Sequence, residues 1–295
     1  VKQMQVSTSK IFIIFLALCL FSCNSKNNKD TEKPVVTVSI LPQKTFVETI
    51  AGTDFKVNVL LPPGASPAAF TLLPSQLKDI VRSKVWLRIG HIGFEYSWKE
   101  KIQQANPEMK VVDLSQGLDL ITPSSISNTG PATGKGANPH IWMSPPLAKQ
   151  MARRITDELS ALNPEKSTVY NENYRKFASE IDQLDAEIRS KLKDYQGREF
   201  IMFHPSLSYF AREYRLNEYS LEPGGKEPTP QRMAELVKLA QKENIRVIYI
   251  QSDMDREQAR VFAEEIDGEV VEMWPLNPAW KENLLEITDM LIHNF

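Results

Sequence analysis

The sequence predicts an α/β protein: two Rossmann-like lobes with parallel sheets, joined by one long rigid helix. Three observations predict it. Short β-branched runs alternate with helical patterns of about ten residues, the mark of parallel βαβ units. The alternation occurs twice, on either side of a helical middle. That middle contains one amphipathic pattern of about 30 residues, roughly 45 Å as a helix and longer than one lobe needs.

In the first half, VVTVSI (35–40) reads as a buried strand, followed by a helix carrying Phe46, Val47 and Ile50. KVNVLL (56–61) is the next strand and runs into the loop LPPGASP. Pro74 and Ser75 open a helix through Leu77, Ile80 and Val81. KVWLRI (84–89) is a strand ending at Gly90, a helix covers 94–104, and KVVDLS (110–115) closes the lobe. Residues 122–138, TPSSISNTGPATGKGAN, form a polar loop.

In the middle, Met151, Ile155, Leu159 and Leu162 recur at helical spacing. Tyr170, Tyr174, Phe177, Ile181, Leu184, Ile188 and Leu192 do so over a longer stretch. Asn163 is an expected N-cap with Pro164 at the first helical position, and Gly197 an expected close. With α/β patterns on both sides, this helix reads as a strut between lobes. The second half then repeats the first in kind. EFIMF (199–203), EYSLE (218–222), RVIYI (246–250) and EVVEM (269–273) are strands. Helices are expected at 206–214, from Thr229-Pro230, at 257–266 and at 278–293. Two such lobes leave a cleft, and ligands of open parallel sheets sit at the carboxyl ends of the strands.

The N-terminus is built differently. Lys2 and Lys10 precede IFIIFLALCLF (11–21), which is about 16 Å long as a helix and too short to span a bilayer. This pattern fits a secretory signal over residues 1–22. Its end, Leu20-Phe21-Ser22-Cys23, resembles the lipobox of bacterial lipoproteins, which implies acylation at Cys23 and a lipid anchor in the membrane. Cys19 would leave with the signal, so no disulfide is expected. Residues 23–34 read as a polar tether. The expected organisation is therefore signal 1–22, tether 23–34, first lobe 35–145, linking helices 146–197 and second lobe 198–295.

Composition narrows the function. A net charge of −2 without a basic run excludes a nucleic-acid footprint. No HExxH, GxSxG, Walker or GxGxxG pattern is present, so no enzyme motif stands out. The 37 carboxylates mostly belong to solvated helix faces; Glu95, four residues after His91, is the best-placed acid. Of four histidines, His91 and His204 directly follow strand ends and His140 follows the polar loop, whereas His293 lies two residues from the C-terminus. Three imidazoles at the edge of a cleft point to a divalent metal, since neutral imidazole is the commonest metal-ligating side chain.

The order and spacing of LLPPGASPAAFTLLPSQL, IGHIGFEYSW, NPHIWMSPPLAKQMARRI, MFHPSLSYFAREYRL and GGKEPTPQRMAEL resemble the metal-binding receptors of ABC importers for zinc and manganese. The resemblance covers nearly the whole mature chain. It implies two lobes joined by a rigid helix, a metal held between them, a monomeric receptor anchored in the bacterial cell envelope and an ABC permease as partner. It maps family ligands onto His140 and His204, and a His at the latter position resembles the zinc branch rather than the manganese branch. Two further ligand positions fall on Ala68 and Trp274, neither of which ligates, and a position often occupied by Glu falls on Gln251. Zinc favours four ligands. His91 is therefore expected to complete a three-histidine site with water, with Glu95 or a partner as alternatives. The competing readings are a degenerate receptor now acting as an adhesin or regulatory lipoprotein, and a zinc hydrolase built on the three histidines.

Overall fold

The computed structural model describes residues 33–65, 70–122, 136–252, 254 and 256–295. The signal, Cys23, most of the tether, Ala68 and most of the polar loop lie outside the described residues.

Eight strands form two four-stranded parallel sheets. The first contains β1 (Val35–Val38), β2 (Lys56–Val59), β3 (Ser83–Arg88) and β4 (Lys110–Asp113), in the order β2-β1-β3-β4. The second contains β5 (Glu199–Met202), β6 (Asn217–Ser220), β7 (Val247–Gln251) and β8 (Glu269–Met273), in the order β6-β5-β7-β8. The two orders are the same permutation, so the lobes repeat one topology. Central strands β1 and β7 are buried along their whole length, which is why they read as predominantly apolar, β-branched runs without polar alternation. In each sheet the direction of strand addition reverses beside the lobe's first strand. That switch point lies between β1 and β3 in one lobe and between β5 and β7 in the other, and it opens a crevice at the carboxyl ends.

The first lobe carries α1 (Leu41–Ala51), α2 (Pro74–Arg82) and α3 (Gly93–Ala105). Helices α4 (Pro145–Leu162) and α5 (Ser167–Leu192) link it to the second lobe, which carries α6 (Ser208–Tyr214), α7 (Pro230–Glu243), α8 (Glu257–Glu265) and α9 (Trp280–His293). The 26 residues of α5 span about 39 Å. Its buried stripe, from Tyr170 through Phe177, Ile181 and Ile188 to Leu192, packs on α1 of one lobe and α9 of the other, with α4 alongside. It is the expected strut. Its start differs from expectation: Pro164–Lys166 form a 3-10 turn, and the Asn163 side chain donates to the Tyr170 hydroxyl (3.3 Å) instead of capping. At α4, Pro145 and Pro146 open the helix, and Ser144 Oγ caps it by accepting from Leu147 N at 3.3 Å.

One apolar core runs through both lobes and the linking helices. At its centre the Phe46 ring (α1) meets Phe177 (α5) at 5.1 Å and Trp280 (α9) at 5.0 Å, both edge-to-face. Two indoles then sew the lobes together. Trp142 Nε1 donates to Pro275 O and Trp280 Nε1 donates to Trp142 O, each at 2.8 Å. Wide hinging would open this core and expose large aromatic surface, so the cleft is held close to one geometry. Among the described residues, no helix is long and apolar enough to cross a membrane.

Candidate functional site

His140 stands between the polar loop and the 3-10 turn Ile141–Met143 that leads into α4. It is only 7% exposed. His204 lies just beyond β5, at the switch point of the second sheet. The two rings face each other with centroids 5.3 Å apart and planes at 71°. One imidazole reaches this point from the loop leading into α4 and the other from the second lobe. The Trp142 indole lies 5.1 Å from the His140 ring and backs it from the core side.

Each ring is held by its Nδ1. Asn138 Oδ1 lies 2.9 Å from His140 Nδ1, and Glu222 Oε2 lies 2.8 Å from His204 Nδ1. An ionised carboxylate only accepts, so the proton between them sits on His204 Nδ1, and in the neutral ring the lone pair is then on Nε2. Such carboxylate–imidazole pairs orient and strengthen metal ligands. Glu222 reaches His204 because the two neighbouring strands run on side by side, with Glu222 N donating to Phe203 O at 3.0 Å. Burial, and behind it the neighbouring His204, holds His140 well below the ordinary histidine range. It is therefore neutral at neutral pH, the form that ligates a metal.

His91 follows β3 as expected but keeps different company. Its Nδ1 is 2.8 Å from the Tyr96 hydroxyl, and Gly136 passes close to it. Burial lowers its basicity, opposed by Asp113 and reinforced by Arg88. Its ring partner is Tyr96, at 6.3 Å. Among the described residues, no three His, Cys, Asp or Glu side chains converge on a point where they could hold an ion.

Glu95 is not free for the site. It is fully buried, accepts from Ile89 N and Gly90 N at 2.7 Å each and from Ser39 Oγ, and lies 3.9 Å from Arg88 Nε. It closes the turn between β3 and α3. Trp274 is partly buried against the core, and Gln251 is buried at the end of β7. His293 lines an open groove with Glu269, Glu286 and Asp289, apart from the paired rings.

Reasoning from sequence named the imidazoles but missed Asn138 and Glu222, their anchors. Asn138 was legible as the first residue of Asn-Pro-His. Glu222 needed the β5–β6 pairing, because 18 residues separate it from His204.

Behind the pair lies Glu218, which accepts from Leu207 N at 2.9 Å and from Ser208 Oγ. Burial outweighs these bonds and raises its carboxyl from 4.5 to about 7. The unfolded chain releases this proton near pH 4.5, whereas the fold retains it to about pH 7. Stability from this group is thus greatest below that window, falls as pH rises through it, and stays reduced above it. Glu218→Gln should flatten the pH dependence of the melting temperature between pH 5 and 8. It should also stabilise the protein by about 1–2 kcal/mol at pH 8. An unchanged slope would contradict this account.

Two helix-linked parallel lobes, with paired imidazoles between them and no hinge free to swing wide, define a solute-binding receptor that captures a small cargo. The family model for the zinc-uptake complex component A, periplasmic, matches residues 36–295, and the chain belongs to that family. It is 23% identical over 274 residues to the high-affinity zinc uptake system protein ZnuA of Bacillus subtilis, covering 88% of this chain and 85% of that one. It is 24% identical over 287 residues to the zinc-binding lipoprotein AdcA of Streptococcus pneumoniae, covering 93% of this chain and 56% of that one. Among solved structures, a ZnuA deletion mutant with zinc bound superposes with a TM-score of 0.81 at 32% identity, covering 89% of this chain and 98% of that chain. The family is one of metal-binding receptors of ABC importers, in agreement with the resemblance carried by the sequence motifs.

Proposed function

We propose that this protein captures Zn2+ between its lobes outside the cytoplasm and hands it to an ABC permease. The observation that carries the reading is the His140–His204 pair: two imidazoles 5.3 Å apart, each engaged at Nδ1. Paired imidazoles suit zinc better than manganese, which prefers oxygen ligands. His91 is proposed as the third donor; with its Nδ1 beside the Tyr96 hydroxyl its Nε2 remains to ligate, but it must move toward the pair to do so, since no three such side chains converge among the described residues. In this reading residues 35–145 and 198–295 are the lobes, residues 146–197 the link, and the receptor works as a monomer without enzymatic turnover. The aromatic clamp between lobes leaves affinity to a nearly preformed site.

A chelator-controlled zinc titration tests the proposal. Binding of one zinc per chain is expected. Ala68 and Trp274, at two positions where the family resemblance places ligands, favour one competing reading, a receptor that has lost its metal and serves as an adhesin or regulatory lipoprotein. Absence of zinc binding would support that reading instead.

The anchor is proposed from Leu20-Phe21-Ser22-Cys23. Two or more acyl chains at Cys23 would hold the receptor stably on the envelope membrane. Cys23→Ala should move the protein from the membrane to the soluble fraction on cell fractionation. A variant that still pellets with membranes would rule the anchor out.

A further inference from the structure

We propose that Asn138 is the positioning residue of the cargo site: it sets the His140 ring with Nε2 open and fastens the His140 loop to the segment that carries His204. The inference rests on the zinc-receptor reading above.

The amide has only one workable orientation. His140 N lies 2.9 Å from Asn138 Oδ1, and a backbone N–H can only donate. On the other side, Asn138 Nδ2 lies 2.9 Å from Pro205 O, which can only accept, and 3.1 Å from Ser208 Oγ. A flipped amide would set donor against donor and acceptor against acceptor. Oδ1 therefore faces His140, and the ring nitrogen 2.9 Å from it, Nδ1, must be the protonated one. The lone pair is left on Nε2. Ser208 reinforces the arrangement: its hydroxyl proton goes to Glu218, so a lone pair faces the Asn138 amide.

The same residue ties two segments together. Asn138 N donates to Ile121 O at 2.9 Å, and the Tyr209 hydroxyl donates to Asn138 O at 2.8 Å while accepting from Ile121 N. Pro205 is the residue after His204, and Ser208 opens α6. Every polar group of Asn138 is thus committed either to the His140 ring, to its own loop or to the chain next to His204. No other side chain among the described residues bonds both to a candidate ligand ring and to the segment of the other ligand.

The test combines ring-nitrogen NMR of the metal-free protein with zinc titrations. In the native protein His140 should be found in the Nδ1–H form. Asn138→Ala should lose that preference and weaken zinc binding by about 10- to 100-fold, the range seen when the partner of a metal-bound imidazole is removed. Asn138→Asp retains an acceptor opposite His140 but cannot donate to Pro205 or Ser208. It should keep the Nδ1–H form and recover part of the affinity. A residue that merely held the fold would not move the tautomer, nor be rescued in this way. An Asn138→Ala protein with the native tautomer and native affinity would overturn the proposal and leave the receptor reading intact. So would a loss of affinity with the tautomer unchanged and no rescue by aspartate. Failure of the native protein to bind zinc would overturn both, even if the tautomer responds.

Discussion

Replacing either His140 or His204 with alanine should weaken zinc binding at least about a hundredfold, because zinc favours four donors and each imidazole is a large part of a sparse set. Chelator competition on each variant checks this. The two losses should be similar, since the rings face each other across 5.3 Å and each has its own Nδ1 anchor. His293→Ala should bind as the native protein does, because His293 lies in a separate groove. His91→Ala decides the composition of the site. A comparable loss places His91 among the donors; native affinity removes it and leaves completion of the coordination to water or other groups. Native affinity in the His140 and His204 variants would overturn the site.

The largest stability effect is expected at Glu95. Glu95→Ala should cost about 3 kcal/mol or more, lowering the melting temperature by roughly 6–12 °C for a domain of this size. The loss does not come from its charge. Burial raises the Glu95 carboxyl above the ordinary range in spite of Ser39, two backbone N–H groups and Arg88, so the ionised form is electrostatically costly where it sits. What the side chain supplies is acceptance. Without it, Ile89 N, Gly90 N and Ser39 Oγ lose a buried partner, and Arg88 Nε, already without a hydrogen bond, loses the carboxylate 3.9 Å from it. Glu95→Gln retains one acceptor and should recover a good part of the loss in thermal melts. An alanine variant melting within 2 °C of the native protein would contradict this account. The turn resists change at its next residue as well. Gly90 has φ +119°, and a Cβ there would sit 2.4 Å from Asp113 Oδ1 and Ser115 Oγ.

His140, His204 and Glu95 show where local sequence is enough and where it is not. His140 was visible because Asn-Pro-His-Ile-Trp stands between a polar loop and a Pro-opened helix, and both boundaries are local in sequence. His204 was visible because it ends an apolar run. The same local logic placed Glu95 at a helix start near His91 and offered it as an alternative donor to the site. Whether a carboxylate at that position turns outward or folds back onto the β3–α3 turn depends on Ser39, 56 residues away. No local pattern encodes that choice. Similarly, Asn163-Pro164 reads as a cap, yet the Tyr170 hydroxyl claims the Asn163 side chain.

The sequence by itself determined the two α/β lobes, the helical strut and the imidazoles at strand ends. These follow from residue periodicity and from chain breaks within ten or so residues. Only the tertiary structure decided which imidazoles meet. Parallel pairing of β5 with β6 set Glu222 beside His204, and the Trp142–Pro275 and Trp280–Trp142 bonds fixed one lobe against the other. The bonds of Asn138 to Tyr209 and Pro205 turned its Oδ1 toward His140, while His91 was left with Tyr96. The separation between rings on two lobes is set by the close-packed core between them, and that packing arises from contacts among residues far apart in the chain.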